Sequence, residues 1–142
     1  TLPFDREAFQ LQDIFESPIL TWREQVEEIC EGADKQLGIE TKLQESRETW
    51  SQTVFSFGRW KGRDCPILQA FGQIIDDLEE AQMNMQTLLS MRHVGPFREP
   101  VQAQLTALSD TADTLELWIK VQLLWTALES VFMGMYPCPS ES

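Results

Sequence analysis

Between Leu115 and Phe132 the large apolar residues fall at Leu115, Trp118, Val121, Trp125, Leu128 and Phe132, in steps of three and four. Residues so spaced stack on one side of an α-helix. Two tryptophans and a phenylalanine are more apolar bulk than a solvated helix keeps, so this stripe is expected to be buried. The stretch holds no His and no pair of facing carboxylates. It reads as a packing element rather than a place for chemistry.

The same alternation recurs upstream. Ser17-Pro18 opens a helix, with Ser capping free amides and Pro in the first turn. Ile19, Trp22, Val26, Ile29, Ala33 and Leu37 form its stripe, and Gly38 stands where helices commonly end. A second helix over about 39–50 brings Ile39, Leu43 and Trp50 to one side. A third, over about 69–92, carries Phe71, Ile74, Leu78, Ala81, Met85 and Leu88. After the breaker His93-Val94-Gly95-Pro96, an apolar face continues through Phe97, Val101, Leu105, Leu108 and Ala112. Pro100 falls in the first turn, where its missing N–H costs little, and Ser109 to Asp113 allows a break before the last stripe.

Between the second and third helices the period changes. Thr53-Val54-Phe55-Ser56-Phe57 is β-branched and aromatic, Gly58 to Asp64 has turn chemistry, and Cys65 to Leu68 can return. This predicts a β-hairpin at about 53–68, with Pro66 at the start or edge of its strand. The expected fold is mainly all-α: an antiparallel helical bundle or elongated helical rod with a small inserted β-hairpin. One domain is expected over 1–134, with Trp22, Trp50, Leu78, Trp118, Trp125 and Phe132 in its core and a disordered tail at 135–142.

Composition narrows the function. Against 11 Lys and Arg stand 23 Asp and Glu, a formal net charge of −12. That excess repels phosphate backbones and anionic lipids, which argues against nucleic-acid and membrane partners. No apolar run reaches the roughly 18–20 residues of a bilayer span. Cys30, Cys65 and Cys138 are odd in number and lack C-x-x-C spacing, so reduced thiols of a cytosolic compartment fit better than a disulfide framework or zinc site. Thr1 to Asp5 has neither the basic start nor the apolar run of a signal peptide. The absence of an initial Met reads as a piece of something longer.

The residue patterns that carry chemistry are absent or poorly placed. There is no G-x-x-x-x-G-K-[ST] and no G-x-G-x-x-G, so no phosphate cradle is expected. Asp76-Asp77 and Glu79-Glu80 lie on a wet helix face rather than in the shielded pocket that acid–base work needs. The single His93 has no Glu three residues before it, which rules out the Glu-x-x-His pairs of a di-iron bundle; it reads as a surface or capping residue. Met83, Met85 and Met91 read as core filler, and Cys30, beside a buried stripe, as inert. Neither a catalytic residue nor a cofactor or metal ligand is assigned. The one locally basic segment, Arg59, Trp60, Lys61 and Arg63, is a candidate interaction turn that could meet an acidic surface.

Several segments taken together carry a resemblance. They are Phe9-x-Leu11-x-Asp13-Ile14, Gln36-Leu37-Gly38-Ile39-Glu40, Glu48-Thr49-Trp50, Phe55-Ser56-Phe57 and Leu78-Glu79-Glu80-Ala81-Gln82. With them go Ser90-Met91-Arg92-His93-Val94-Gly95-Pro96-Phe97, Leu115 to Gln122, and Leu128-Glu129-Ser130-Val131-Phe132. Over about residues 9–134 the chain resembles the linker region of dynein heavy chains, N-terminal region 2, and most of all the outer-arm axonemal ones.

The resemblance implies a mostly helical rod lying across a ring of AAA+ ATPase modules and joining it to the tail. Such a rod changes shape with the nucleotide state of the ring and delivers the power stroke. The implied partners are the ring and tail of the same heavy chain and other dynein subunits, with the microtubule reached only indirectly. The implied place is the cytoskeleton of a ciliary or flagellar axoneme. ATP sites lie elsewhere in such a chain, so this segment would be no enzyme and need no cofactor. Met135 to Ser142 departs from the family pattern, which implies a truncated or alternative product or an appended tail. The alternative reading is an independent helical adaptor that binds partner helices.

Overall fold

Two runs of four-three spacing build the centre of the molecule. In helix α3 (Phe71–Ser90) they are Ile74, Leu78, Ala81, Met85 and Leu88; in helix α4 (Arg98–Met135) they are Val101, Leu105, Leu108, Ala112, Leu115 and Ile119. The computed structural model, which describes residues 10–16, 18–62 and 65–135, packs these seams against each other as an antiparallel pair. Leu78 is 0% exposed at the middle of the contact, and Met85, Leu88, Val101, Leu108 and Leu115 are buried around it. This is the spacing that lets side chains of one helix enter the gaps of another. A short turn over Gly95–Phe97 connects the pair, with the Phe97 N–H donating to the Val94 carbonyl at 2.8 Å.

Helix α4 runs 38 residues without a break, about 57 Å at the usual rise. The polar run at 109–113 does not interrupt it. The Thr111 and Thr114 hydroxyls donate to the carbonyls of Ala107 and Asp110, each at 2.7 Å, so their polarity is satisfied inside the helix.

Upstream, a short helix α1 (Leu11–Glu16) and a 3-10 turn at Pro18–Trp22 lead into helix α2 (Arg23–Gln52). The sequence pattern ended one helix at Gly38 and began another at Ile39; the structure has one. An interior glycine costs about 1 kcal/mol, whereas burying Ile39 and Leu43 on the next turns contributes roughly 1.5–3 kcal/mol each. Burial wins. Trp50 packs against the same core, and the Gln104 amide donates to the Ser46 hydroxyl at 3.4 Å, tying α2 to α4.

A two-stranded antiparallel hairpin, β1 (Ser56–Arg59) and β2 (Pro66–Gln69), separates α2 from α3. Phe57 faces Leu68 and Gly58 faces Ile67 across the pair. The first strand starts later than its pattern suggested because the end of α2 takes up Thr53. The Thr53 N–H and hydroxyl both donate to the Thr49 carbonyl, at 3.1 and 2.8 Å. Pro66 opens β2, where the missing donor is harmless.

The core differs from expectation at four aromatic positions, and at Val121 and Leu128 of the last stripe, both exposed. Trp22 is 54% exposed, Trp118 42%, Trp125 40% and Phe132 61%, while Leu78 and Trp50 do lie in or against the core. These differences have one cause: overhang. The N-terminal half of α2 projects past the α3–α4 turn, grazing it where Gly32 comes close to His93, and Val26, Ile29 and Leu37 stay exposed with Trp22. The C-terminal half of α4 projects past the start of α3 and meets the hairpin instead. Cys30 is exposed for the same reason, and Met83 points to solvent while Met85 is buried. Helix α4 continues through Gly134 to Met135; residues 136–142, including Cys138, lie outside the described residues.

Candidate functional site

The hairpin is clasped to α4. Trp118, Gln122 and Glu129 lie on one line of the helix, since residues four and seven apart return to nearly the same side. Each holds a different part of the hairpin. The Phe55 and Phe57 rings meet the Trp118 ring with centroids 6.2 and 5.9 Å away, tilted at 52° and 38°, a favourable aromatic geometry. The Leu68 N–H donates to Gln122 Oε1 at 2.7 Å, and Gln122 Nε2 donates back to the Leu68 carbonyl at 3.0 Å. The side-chain amide thus pairs with β2 as a neighbouring strand would, satisfying an edge that is otherwise a liability.

At the far end, Trp60 Nε1 donates to Glu129 Oε2 at 2.9 Å. Lys61 Nζ donates to the Ser130 hydroxyl at 3.0 Å and stands 3.6 Å from the same Glu129 oxygen. It also stands 5.2 Å from the centre of the Trp60 ring, within cation–π range. The Glu129 side chain is only 11% exposed. Its charge-assisted bond to the indole therefore outweighs the half-solvated ion pair to Lys61.

This arrangement bends the backbone. Lys61 adopts φ 47° and ψ 37° inside the Trp60–Gly62 turn, a left-handed conformation that costs a non-glycine residue roughly 1–2 kcal/mol. The Trp60 N–H donating to the Cys65 carbonyl at 3.0 Å closes the loop. The strained residue is the one whose ammonium is held three ways.

The expected interaction turn therefore meets an acidic residue, and that residue belongs to the same chain. Arg59 is exposed at the end of β1 opposite Pro66; Arg63 lies outside the described residues. Gln122, Glu129 and Ser130 escaped the sequence reading. The signal available was Gln122 and Glu129, two polar residues seven apart and so on one side of a helix.

The opposite side of α4 carries a second seam. Leu117, Val121, Leu124, Leu128 and Val131 step by four and three, and all are exposed, with Trp118, Trp125 and Phe132 along one flank. It lies about 180° around the helix from the buried seam, given some 100° per residue. No charged residue falls among these eight positions. A contiguous apolar face of this kind marks an interaction surface.

Elsewhere the titratable groups are scattered. Asp76, Asp77, Glu79 and Glu80 are exposed along α3, and His93 is half-buried beside Gly32. Among the described residues, no group of three or more His, Cys, Asp or Glu is placed to hold a metal ion, and no helix is long and apolar enough to cross a membrane. On α2, the Lys35 ammonium donates to Glu31; that bond, then the lysine charge, holds the Glu31 carboxyl below its ordinary value.

Fold and site together define a helical segment built to pack, with a hairpin clasp and an uncovered apolar seam. Residues 2–138 match the family model for the dynein heavy chain, N-terminal region 2. The chain is 38% identical over 136 residues to dynein axonemal heavy chain 8 of Homo sapiens, covering 93% of this chain. It is 35% identical over 136 residues to dynein axonemal heavy chain 5 of Mus musculus, covering 94% of it. To the dynein gamma chain, flagellar outer arm, of Chlamydomonas reinhardtii it is 32% identical over 128 residues, covering 89%. The chain spans about 3% of the length of each of these relatives. It belongs to the dynein heavy chain family, as a stretch of its N-terminal region 2.

Proposed function

We propose that this segment is a non-catalytic mechanical element: part of the linker that couples changes in an AAA+ ATPase ring to the power stroke of a microtubule motor. The observation that carries the reading is α4, an unbroken helix with a buried seam on one side and an equally regular, uncovered seam on the other. Such a helix joins two layers. Its inner seam holds α3, and its outer seam takes a further helix of the same heavy chain, toward the ring or the tail. The microtubule is reached only through the rest of the motor. The axonemal, ciliary and flagellar names of the relatives support a place in the axoneme of a cilium or flagellum. We treat residues 1–134 as one mechanical unit.

The test is made in the full-length heavy chain. Val121→Asp with Leu128→Asp puts two carboxylates on the outer seam without touching the inner one. Microtubule gliding is expected to slow severely while ATP turnover continues. Gliding at the parental speed would overturn the reading. An independent adaptor would use the same seam, but it would bind its partner helix as a free chain, and family membership favours the linker.

A further inference from the structure

Between α2 and α3 runs a half-open cleft of about 460 Å³. Its floor is apolar: Trp50 from α2 and Ala81, Met85 and Leu88 from α3. Its rim is acidic, with Glu45 from α2 and Asp77 and Glu80 from α3, and its one cation is Lys42. Among the described residues no cation pairs with any of the three carboxylates; Asp77 accepts a bond from the Gln73 amide at 2.8 Å, and Glu45 and Glu80 face solvent. The antiparallel run of the helices puts Lys42 toward the Leu88 end and Asp77 toward the Thr53 end. The clasp and the outer seam of α4 lie outside this lining.

We propose that this cleft is a docking site for a short basic segment of a partner protein, one that sets a Leu- or Met-sized anchor on the Trp50–Met85 floor beside Lys or Arg. Two features of the cleft select that chemistry. A floor of aromatic, thioether and aliphatic groups rewards an apolar anchor. A rim of three carboxylates against one ammonium favours cations and repels acidic segments, which sets orientation and partner choice more than affinity. The volume matches clefts that bury a few side chains rather than a flat helix-on-helix contact. The outer seam of α4, uncharged throughout, asks for a different partner, so the molecule carries two docking surfaces of distinct chemistry. The proposal rests on the cleft alone and stands or falls independently of the linker reading.

The probe is a synthetic amphipathic Lys/Leu helical peptide, with its Glu/Leu counterpart as control, titrated into the isotope-labelled 142-residue chain. Backbone amide shifts report where each binds. The Lys/Leu peptide is expected to perturb Thr49, Trp50, Ala81 and Asn84, and the Glu/Leu peptide to leave them unmoved. The triple variant Glu45→Gln, Asp77→Asn, Glu80→Gln keeps shape and removes charge. It is expected to weaken binding about tenfold, the combined effect of three rim charges of modest individual strength. Perturbations confined to residues 117–132, equal response to both peptides, or affinity unaltered in the triple variant would each overturn the proposal.

Discussion

Gln122 shows how much one side chain can do here. Its amide supplies both a donor and an acceptor to Leu68, whose own side chain is buried. Gln122→Leu keeps the volume and leaves two backbone groups unmatched, so a loss of roughly 1–3 kcal/mol is expected. The denaturant midpoint reads the loss, and faster hydrogen exchange at the Leu68 amide locates it. A midpoint equal to that of the parent would show the clasp to be ornamental. A second residue-scale test concerns Glu31. Its carboxyl is depressed by the Lys35 hydrogen bond and charge. Its small contribution is therefore present above the unfolded-state pKa and lost as pH falls through the lower folded one. An NMR titration should find its midpoint below the ordinary glutamate range, moving up in Lys35→Met and in high salt. A midpoint indifferent to both changes would show that Lys35 does not pair with Glu31 in solution.

At the scale of the element, the two sides of α4 should answer substitution differently. Leu78→Ala, opposite the inner seam, is expected to cost roughly 2–5 kcal/mol, as large-to-small changes in closed cores do. Trp125→Ala, on the outer flank and 40% exposed, should cost about 1 kcal/mol, for the partial cover it loses. Trp118→Ala falls between, losing in addition aromatic contacts worth about 0.5–1.5 kcal/mol with the hairpin. Urea melts of the three variants give the order directly; Trp125→Ala proving as costly as Leu78→Ala would contradict the exposed placement. The same comparison shows what was legible in the sequence. The stripe from Leu115 to Phe132 announced a helix but not which side of it is covered. From 115 onward the residues offer two competing seams, and the aromatic one is the more conspicuous. The choice between them depends on where α3 begins, a tertiary fact that local spacing does not carry. Gly38 misled in the opposite way: its local preference was real but smaller than the burial of Ile39 and Leu43. Pro66, Pro100 and the 93–96 breaker are legible in the sequence because their effects are local and steric. The clasp was half legible, in the cations and tryptophan of the turn, while its acceptors lie some 69 residues downstream.

For the whole molecule, the uncovered seams predict behaviour in isolation. The free chain should bind a hydrophobic dye and associate as its concentration rises, and Leu124→Glu with Leu128→Glu should suppress both. Analytical ultracentrifugation decides this; a monomer at all concentrations, with no dye bound, would mean the outer seam is covered in solution. The overhangs also lie at opposite ends: the first half of α2 beyond the α3–α4 turn, the last part of α4 beyond the start of α3. Where they overlap, α2 and α4 run in the same direction, joined through Ile39, Leu43 and the Ser46–Gln104 bond. Tension entering at one overhang and leaving at the other therefore slides the helices along each other instead of peeling them apart. A lap joint loaded this way shares its stress over every contact in the overlap at once. A peeled one would yield a contact at a time.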